Sequence, residues 1–279
     1  MYMSVKMAAE RWGISERRVR VLCEEGRVDG AVRISWAWNI PSNSPKPSDG
    51  RSLRHKKSNL RLGKMDFARF EVQRKLIDQN KEAIPMLSNA LIPRLILGLF
   101  QLEGLDVKAS DLAILFQQSF VAHLSFESQI IALNMRSLLR RMRRTKTKMS
   151  EQQVNTLYNQ LFQGLDDNPP QYREASIHQE MEILFLHYEQ EWVHLHPIAR
   201  SLFLFGQLMR IKPYNKYNSF IAALAFSEEM IKEGYLPVLV NQENVDEFRA
   251  ALLLTNTQGN YQNLLTLLEG QHKKAVERL

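Results

Sequence analysis

A chain of 279 residues with 44% apolar and 24% charged side chains has length for one large domain or two modest ones and a composition that excludes disordered and fibrous classes. No apolar run approaches the roughly eighteen residues of a membrane span and the amino end carries no signal-peptide pattern, so no membrane partner and a cytoplasmic location are expected. The net charge of +7 is uneven: residues 1–65 hold 14 Lys and Arg against 6 Asp and Glu, whereas residues 66–279 hold 23 against 24. That places a surplus of +8 on the amino-terminal piece and −1 on the rest, the distribution expected if the first piece meets a polyanion, double-stranded DNA foremost.

In chain order, Ser4 predicts a cap for a helix through Trp12 with Val5, Met7, Ala8 and Trp12 as its apolar positions, ended by Gly13. Ser15 predicts a second cap, with Ile14 and Val19 placed as a hydrophobic staple and Val19, Leu22 and Cys23 as the buried stripe up to Gly26. Cys23, the single cysteine, excludes an internal disulfide and a cysteine-based zinc site, and reads as a core thiol. Arg17, Arg18 and Arg20 stand clear of that stripe. Val28, Gly30, Val32, Ile34 and Trp36, then Trp38, Ile40 and Pro41, alternate like a short hairpin with Arg33 at its tip. The run from Val5 to Pro41 resembles the small winged helix-turn-helix of the excisionase and MerR group, which implies a recognition helix at 15–25 in the major groove and a wing against phosphates. The DNA-contact candidates are therefore Ser15, Arg17, Arg18, Arg20 and Arg33. Such arginines are also met as a plain solvated face, and helix-turn-helix pieces also dock proteins.

The expected division is 1–41 for this module, 42–65 for a linker and 66–279 for a helical domain. The linker reading rests on Pro41, Ser42, Asn43, Ser44, Pro45, Pro47, Ser48, Asp49 and Gly50, followed by a basic half from Arg51 to Lys64. Beyond it, helical patterns run from Phe67 to Ile84, Ala90 to Phe100, Ser110 to Phe120, Ile130 to Arg144, Ser150 to Phe162 and Ile177 to Trp192. The fold class is thus mostly α. Arg136, Arg140, Arg141, Arg143, Arg144, Lys146 and Lys148 form a basic run, read first as a solvated face pairing with Glu180, Glu182, Glu189 and Glu191, and otherwise as a second DNA contact. His194 and His196, near Glu189 and Glu191, stand two apart rather than four, so no metal site is expected there.

The stretch that organises the chain is Phe205 to Leu224. An apolar helix enters a polar, Pro-containing turn and a second apolar helix leaves it, with Asn218 or Ser219 as the expected cap and unpaired N–H groups making the turn an anion site. Here the chain resembles the Fic (Fido) family, whose nucleotide-transfer motif HxFx(D/E)GN(G/K)RxxR sits in the same setting. Pro213, an aromatic at Tyr214 and Asn218 are kept. The family's catalytic His falls on Lys212, its metal-binding acid on Lys216, its two glycines on Tyr217 and Ser219, and its two arginines on Phe220 and Ala223. Tyr172-Arg173, Gly234-Tyr235-Leu236-Pro237-Val238 and the run Val245 to Leu252 extend the likeness, which covers roughly residues 70–270. Leu99 to Gly104 is similar to the inhibitory (S/T)xxxE(G/N) signature: Glu103 and Gly104 match, and the arginine that this glutamate meets in the family is Ala223 here.

The resemblance implies a Fic-like fold with a degenerate motif, no catalytic residue, and no cofactor. ATP and Mg²⁺ enter only under the alternative of a Fic-type AMP-transferase, a protein-adenylylating enzyme with a divergent site. The expected function is DNA binding and transcriptional regulation, the Fic-like body serving as a homodimer interface, a protein-partner surface or a ligand sensor.

Overall fold

The computed structural model describes residues 2–47, 60–63, 67–79, 84–118, 120–142, 148–165 and 170–277. Twelve α-helices and three short strands are present among them. Contacts divide the chain into two compact units, Met1–Lys56 with Glu174–Glu180, and Lys57–Arg173 with Met181–Leu279.

In the first unit, α1 (Val5–Trp12) starts at Ser4, whose hydroxyl accepts the Met7 N–H at 3.3 Å, and ends at Gly13, whose φ of 63° suits a residue without Cβ. Helix α2 (Glu16–Glu24) starts at Ser15, which accepts the Arg18 N–H at 3.2 Å. Past its end the Arg27 N–H reaches back to the Leu22 carbonyl around Gly26, at φ 68°. Ala8, Ala9, Trp12, Val19, Leu22 and Cys23 form a core with Met3, Val28 and Ile40. Met7, read as apolar and inward, is instead 57% exposed, and Ala9 takes the inward place. Burial, with Glu24 beside it, pushes the Cys23 thiol pKa up, as for an inert core thiol.

The expected hairpin forms from β2 (Val32–Ile34) and β3 (Ala37–Pro41), and β1 (Tyr2–Met3), unforeseen, pairs on the other side of β3 to give the order β1-β3-β2. Arg33 lies opposite Trp38 in mid-strand, not at the tip. The turn is Ser35-Trp36, because Ser35 takes the positive φ of 56° that reverses the chain.

The second unit contains α3 (Ala68–Gln79), α4 (Ile84–Leu102), α5 (Ala109–Gln118), α6 (Phe126–Arg141), α7 (Glu151–Leu161), α8 (Ile177–Gln190) from Met181 onward, α9 (Pro197–Ile211), α10 (Asn218–Lys232), α11 (Val245–Gln258) and α12 (Gln262–Val276). Within the helix expected from Phe67 to Ile84, α3 covers Ala68–Gln79, residues 80–83 lie outside the described ones, and Ile84 opens α4, with Pro85 in its first turn, where a missing N–H costs little. Helix α6 begins four residues earlier than its apolar pattern, because Ser125 caps it through the Ser128 N–H at 3.1 Å. Helix α8 ends at Gln190, and a 3-10 turn, Trp192–His194, follows.

Helices α9 and α10 are the axis of this unit. Ile198 through Gly206 of α9 and Asn218 through Ser227 of α10 are buried without interruption, so both are surrounded on all sides. Helix α10 packs on α9, α7, α6 and α4, while α9 also meets α11 and α12. Gly206 is needed here: a Cβ on it would stand 2.6 Å from the Tyr261 hydroxyl, which accepts from Gln207 Nε2 at 3.0 Å. One ionic cluster crosses the helix pair. Arg200 donates to Glu229 and to Glu233, each at 2.9 Å, with Lys232 at 3.3 Å from Glu229, which is 1% exposed.

Candidate functional site

The turn between α9 and α10 is held by its own side chains. Lys212 ends α9 in the left-handed region at φ 48° and Tyr217 precedes α10 at φ 57°. A non-glycine residue in that region costs roughly 1–2 kcal/mol, so the surroundings must impose it. They do so in three ways. Asn218 turns its amide back into the loop, accepting the Tyr214 N–H at 2.9 Å and donating to the Tyr214 carbonyl at 2.8 Å. Arg173 straps the loop from outside, its N–H to the Pro213 carbonyl at 3.0 Å and its guanidinium to the Lys212 carbonyl at 2.8 Å. Tyr214, buried, donates to Asn155 at 2.7 Å and lies 4.3 Å from the Tyr158 ring.

Asn218 and Ser219 therefore do not cap α10, contrary to the sequence reading. The cap position belongs to Tyr217, which offers no side-chain cap, and its ring packs edge-on to Phe220 and Phe162. Tyr217, aligned with a motif glycine, keeps a glycine-type φ.

The expected open anion site is also corrected. The Ser219 N–H donates to Glu103 Oε1 at 2.8 Å, so a carboxylate from the end of α4 lies on the positive end of α10. Gly104, at φ 75°, lets the chain turn away directly after it. Ala223, where the motif arginine would stand, is fully buried, and Phe220 at the other arginine position packs edge-to-face on Phe100 at 4.9 Å. Both are core residues here.

Lys212 is exposed, whereas Lys216 pairs with Glu127, whose hydrogen bond pushes the ammonium pKa up and keeps it charged. Glu127, Asn155 and Arg173 were not singled out as partners in the sequence, since each lies at least 39 residues from the loop residue it meets. Magnesium does not fit this donor set. Mg²⁺ requires about six oxygen ligands in a tight octahedron. The loop presents two ammonium groups, and the carboxylates beside it, Glu103 and Glu127, are already bonded to Ser219 and Lys216.

The DNA-contact candidates lie in the first unit. Arg17 is exposed and Arg18 half-buried, and neither makes an ion pair among the described residues. Arg20 pairs with Glu16 at 2.8 Å, and the Ser15 hydroxyl is spent on its cap. Arg33 is exposed in β2.

One further reading changes. Arg136 does not join a solvated face pairing with the acids from Glu180 to Glu191: it donates to the Phe116 carbonyl at 3.0 Å and lies 4.6 Å over that ring, which explains why burial lowers its pKa. Arg140 donates to Asn89, while residues 143–147 of the run fall outside the described residues. His196 is a helix cap: Nδ1 accepts the Ile198 N–H at 3.3 Å, Nε2 meets Glu71 at 3.2 Å, and the ring stacks on Phe67 at 4.0 Å. Among the described residues no group of three or more His, Cys, Asp or Glu is placed to hold a metal, and no helix is long and apolar enough to cross a membrane.

No protein-family model and no curated protein matches the chain. Solved structures do. Fic-1 (residues 134–508) from C. elegans is similar at TM-score 0.64 and 14% identity over 76% of this chain and 70% of its own. A Fic family protein from Desulfovibrio desulfuricans G20 gives 0.61 and 14% over 77% and 75%. A Fic domain containing signaling protein from Bacteroides thetaiotaomicron VPI-5482 gives 0.60 and 12% over 75% and 94%. At such identities the likeness speaks for architecture alone, and with α9, α10 and their turn at its centre the chain has a Fic-type fold.

Proposed function

We propose that this protein binds double-stranded DNA through its first unit, a winged helix-turn-helix with α2 as the recognition helix, and that its Fic-fold unit is a catalytically inert body. The combination is a transcriptional regulator, with the body pairing two copies on a two-fold site or holding a protein partner or ligand. The observation that carries the inert reading is Glu103 on the Ser219 N–H, which puts a negative charge where a nucleotide phosphate would need a donor. Lys212 adds to it: an ammonium has donors only and cannot take the proton of an attacking hydroxyl. Loss of a general base alone costs about 10²–10⁴ in rate. The DNA reading is supported by the +8 surplus in residues 1–65 and by Arg17 and Arg18, without an ion pair among the described residues, beside the N-terminus of a well-capped helix.

Two measurements on the intact 279-residue chain test this. Anisotropy titrations against labelled duplexes at several salt concentrations should show affinity falling linearly in log–log form. Incubation with labelled ATP, magnesium and cell extract should give no labelled band above background. Labelling that disappears when the 212–220 loop is altered would replace this reading with a divergent AMP-transferase.

A further inference from the structure

The outer face of the small sheet carries no charge. Val32 lies opposite Asn39 and Ile34 opposite Ala37, while Arg33 lies opposite Trp38. Facing residues of an antiparallel pair share a side, so Val32, Ile34, Ala37 and Asn39 occupy one face and Arg33 and Trp38 the other. Trp38 packs against the core, and the opposite face is open: Val32 is 50%, Ile34 59% and Trp36, at the turn, 87% exposed. The tip from Ile34 to Ala37 contains no cation, so phosphate neutralisation cannot account for it.

From Trp38, packed on the core, two residues of strand at about 3.3 Å each carry the tip about 7 Å beyond it. The minor groove of B-DNA is about 6 Å wide and about 7.5 Å deep. Two strands about 4.8 Å apart with their side chains are too broad to enter it, whereas the two-residue turn is not. Resting on the DNA-binding reading above, we propose that Trp36 is a wedge: with the basic surface on the backbone, its indole enters the minor groove and inserts partly between two base pairs. DNA is the occupant because α2 of the same unit carries Arg17, exposed, and Arg18, half-buried, neither with an ion pair among the described residues. The insertion favours a TA or CA/TG step, where unstacking costs least.

The test compares the parent with Trp36→Ala and Trp36→Phe, each checked for folding by circular dichroism, on a fluorescein-labelled duplex selected from a random pool by the parent. Trp36→Ala should weaken binding roughly tenfold, within the range of a lost base–aromatic stack, and leave the log–log salt slope unchanged, while Trp36→Phe keeps most of the affinity. Arg17→Ala should instead lower the slope by about one unit. Indole emission should be quenched on binding in the parent and far less in Trp36→Phe, since Trp12 and Trp192 are buried and Trp38 is half-buried against the core. Replacing the flexible step should weaken the parent and leave Trp36→Ala unaffected. If the parent binds with salt dependence but Trp36→Ala matches it in affinity and step preference, the wedge is wrong and the DNA reading stands. A parent that binds no duplex removes both. Should Trp36→Ala alter only the sedimentation coefficient, the face belongs to a second copy of the chain and the wedge is overturned.

Discussion

The two units begin their central helices by opposite means. In the first, Ser4 and Ser15 cap α1 and α2 from within three residues, at 3.3 and 3.2 Å, and leave the neighbouring arginines at the surface. In the second, α10 starts at a tyrosine with no side-chain cap and takes its carboxylate from Glu103, 116 residues away. A serine hydroxyl satisfies one N–H without adding charge, whereas Glu103 brings a carboxylate to the positive end of α10. The first arrangement suits binding an external polyanion, and the second suits rigidity.

The largest expected effect probes that rigidity. Arg200→Ala leaves the buried Glu229 with Lys232 as its cation among the described residues, a change worth about 3–4 kcal/mol, and should lower the thermal midpoint of the helical unit by roughly 10 °C. If duplex affinity measured well below that midpoint falls in parallel, the two units are not independent and the contrast fails.

Next is pH. His272 is fully buried with no hydrogen-bond partner for either ring nitrogen among the described residues, and burial brings its pKa from 6.5 to about 4, the pull of the Leu236 backbone being too weak to offset it. Its folded-state pKa is depressed, so its contribution is complete above 6.5 and is lost as pH falls toward 4, about 3 kcal/mol in all. Glu71, held low chiefly by the Tyr235 hydroxyl, acts in the same direction further down. Denaturant titrations of the parent between pH 7 and 4 should show this decline, and His272→Leu should flatten it.

A smaller change reads the distant cap itself. Glu103→Ala should cost about 1–2 kcal/mol, and inorganic phosphate should then raise the thermal midpoint of the variant but not of the parent. Equal insensitivity of both would show that the end of α10 is closed by something other than this carboxylate.

The smallest effects belong to the first unit. Ser15→Ala should cost about 1 kcal/mol locally. Among the arginines, Arg17→Ala and Arg18→Ala should each lower the DNA salt slope by about one unit, and Arg20→Ala by less, because Glu16 already neutralises part of its charge. Equal slopes for all three would mean that the Glu16 pair opens on binding.

What the sequence determined by itself is what short-range chemistry decides. Both serine caps, the glycine stops at 13 and 26, the Val19, Leu22 and Cys23 stripe, and the mostly α class with the α9–turn–α10 core could be read from residues a few positions apart. Arg33 was placed wrongly because alternation gives strand faces but not the turn, which one positive φ at Ser35 moved to Ser35-Trp36. Asn218 and Ser219 are good caps by type, yet α10 starts at Tyr217, since the Asn218 amide gains two hydrogen bonds to Tyr214 and Glu103 reaches the Ser219 N–H from α4. Arg136 was assigned to solvent by its charge and is instead laid over Phe116 by the packing of α5 against α6. Glu103 on Ser219 and Phe116 under Arg136 are partners from other helices, and which partner arrives is settled when the helices pack, because a buried donor or charge left without one costs more than a local preference can return.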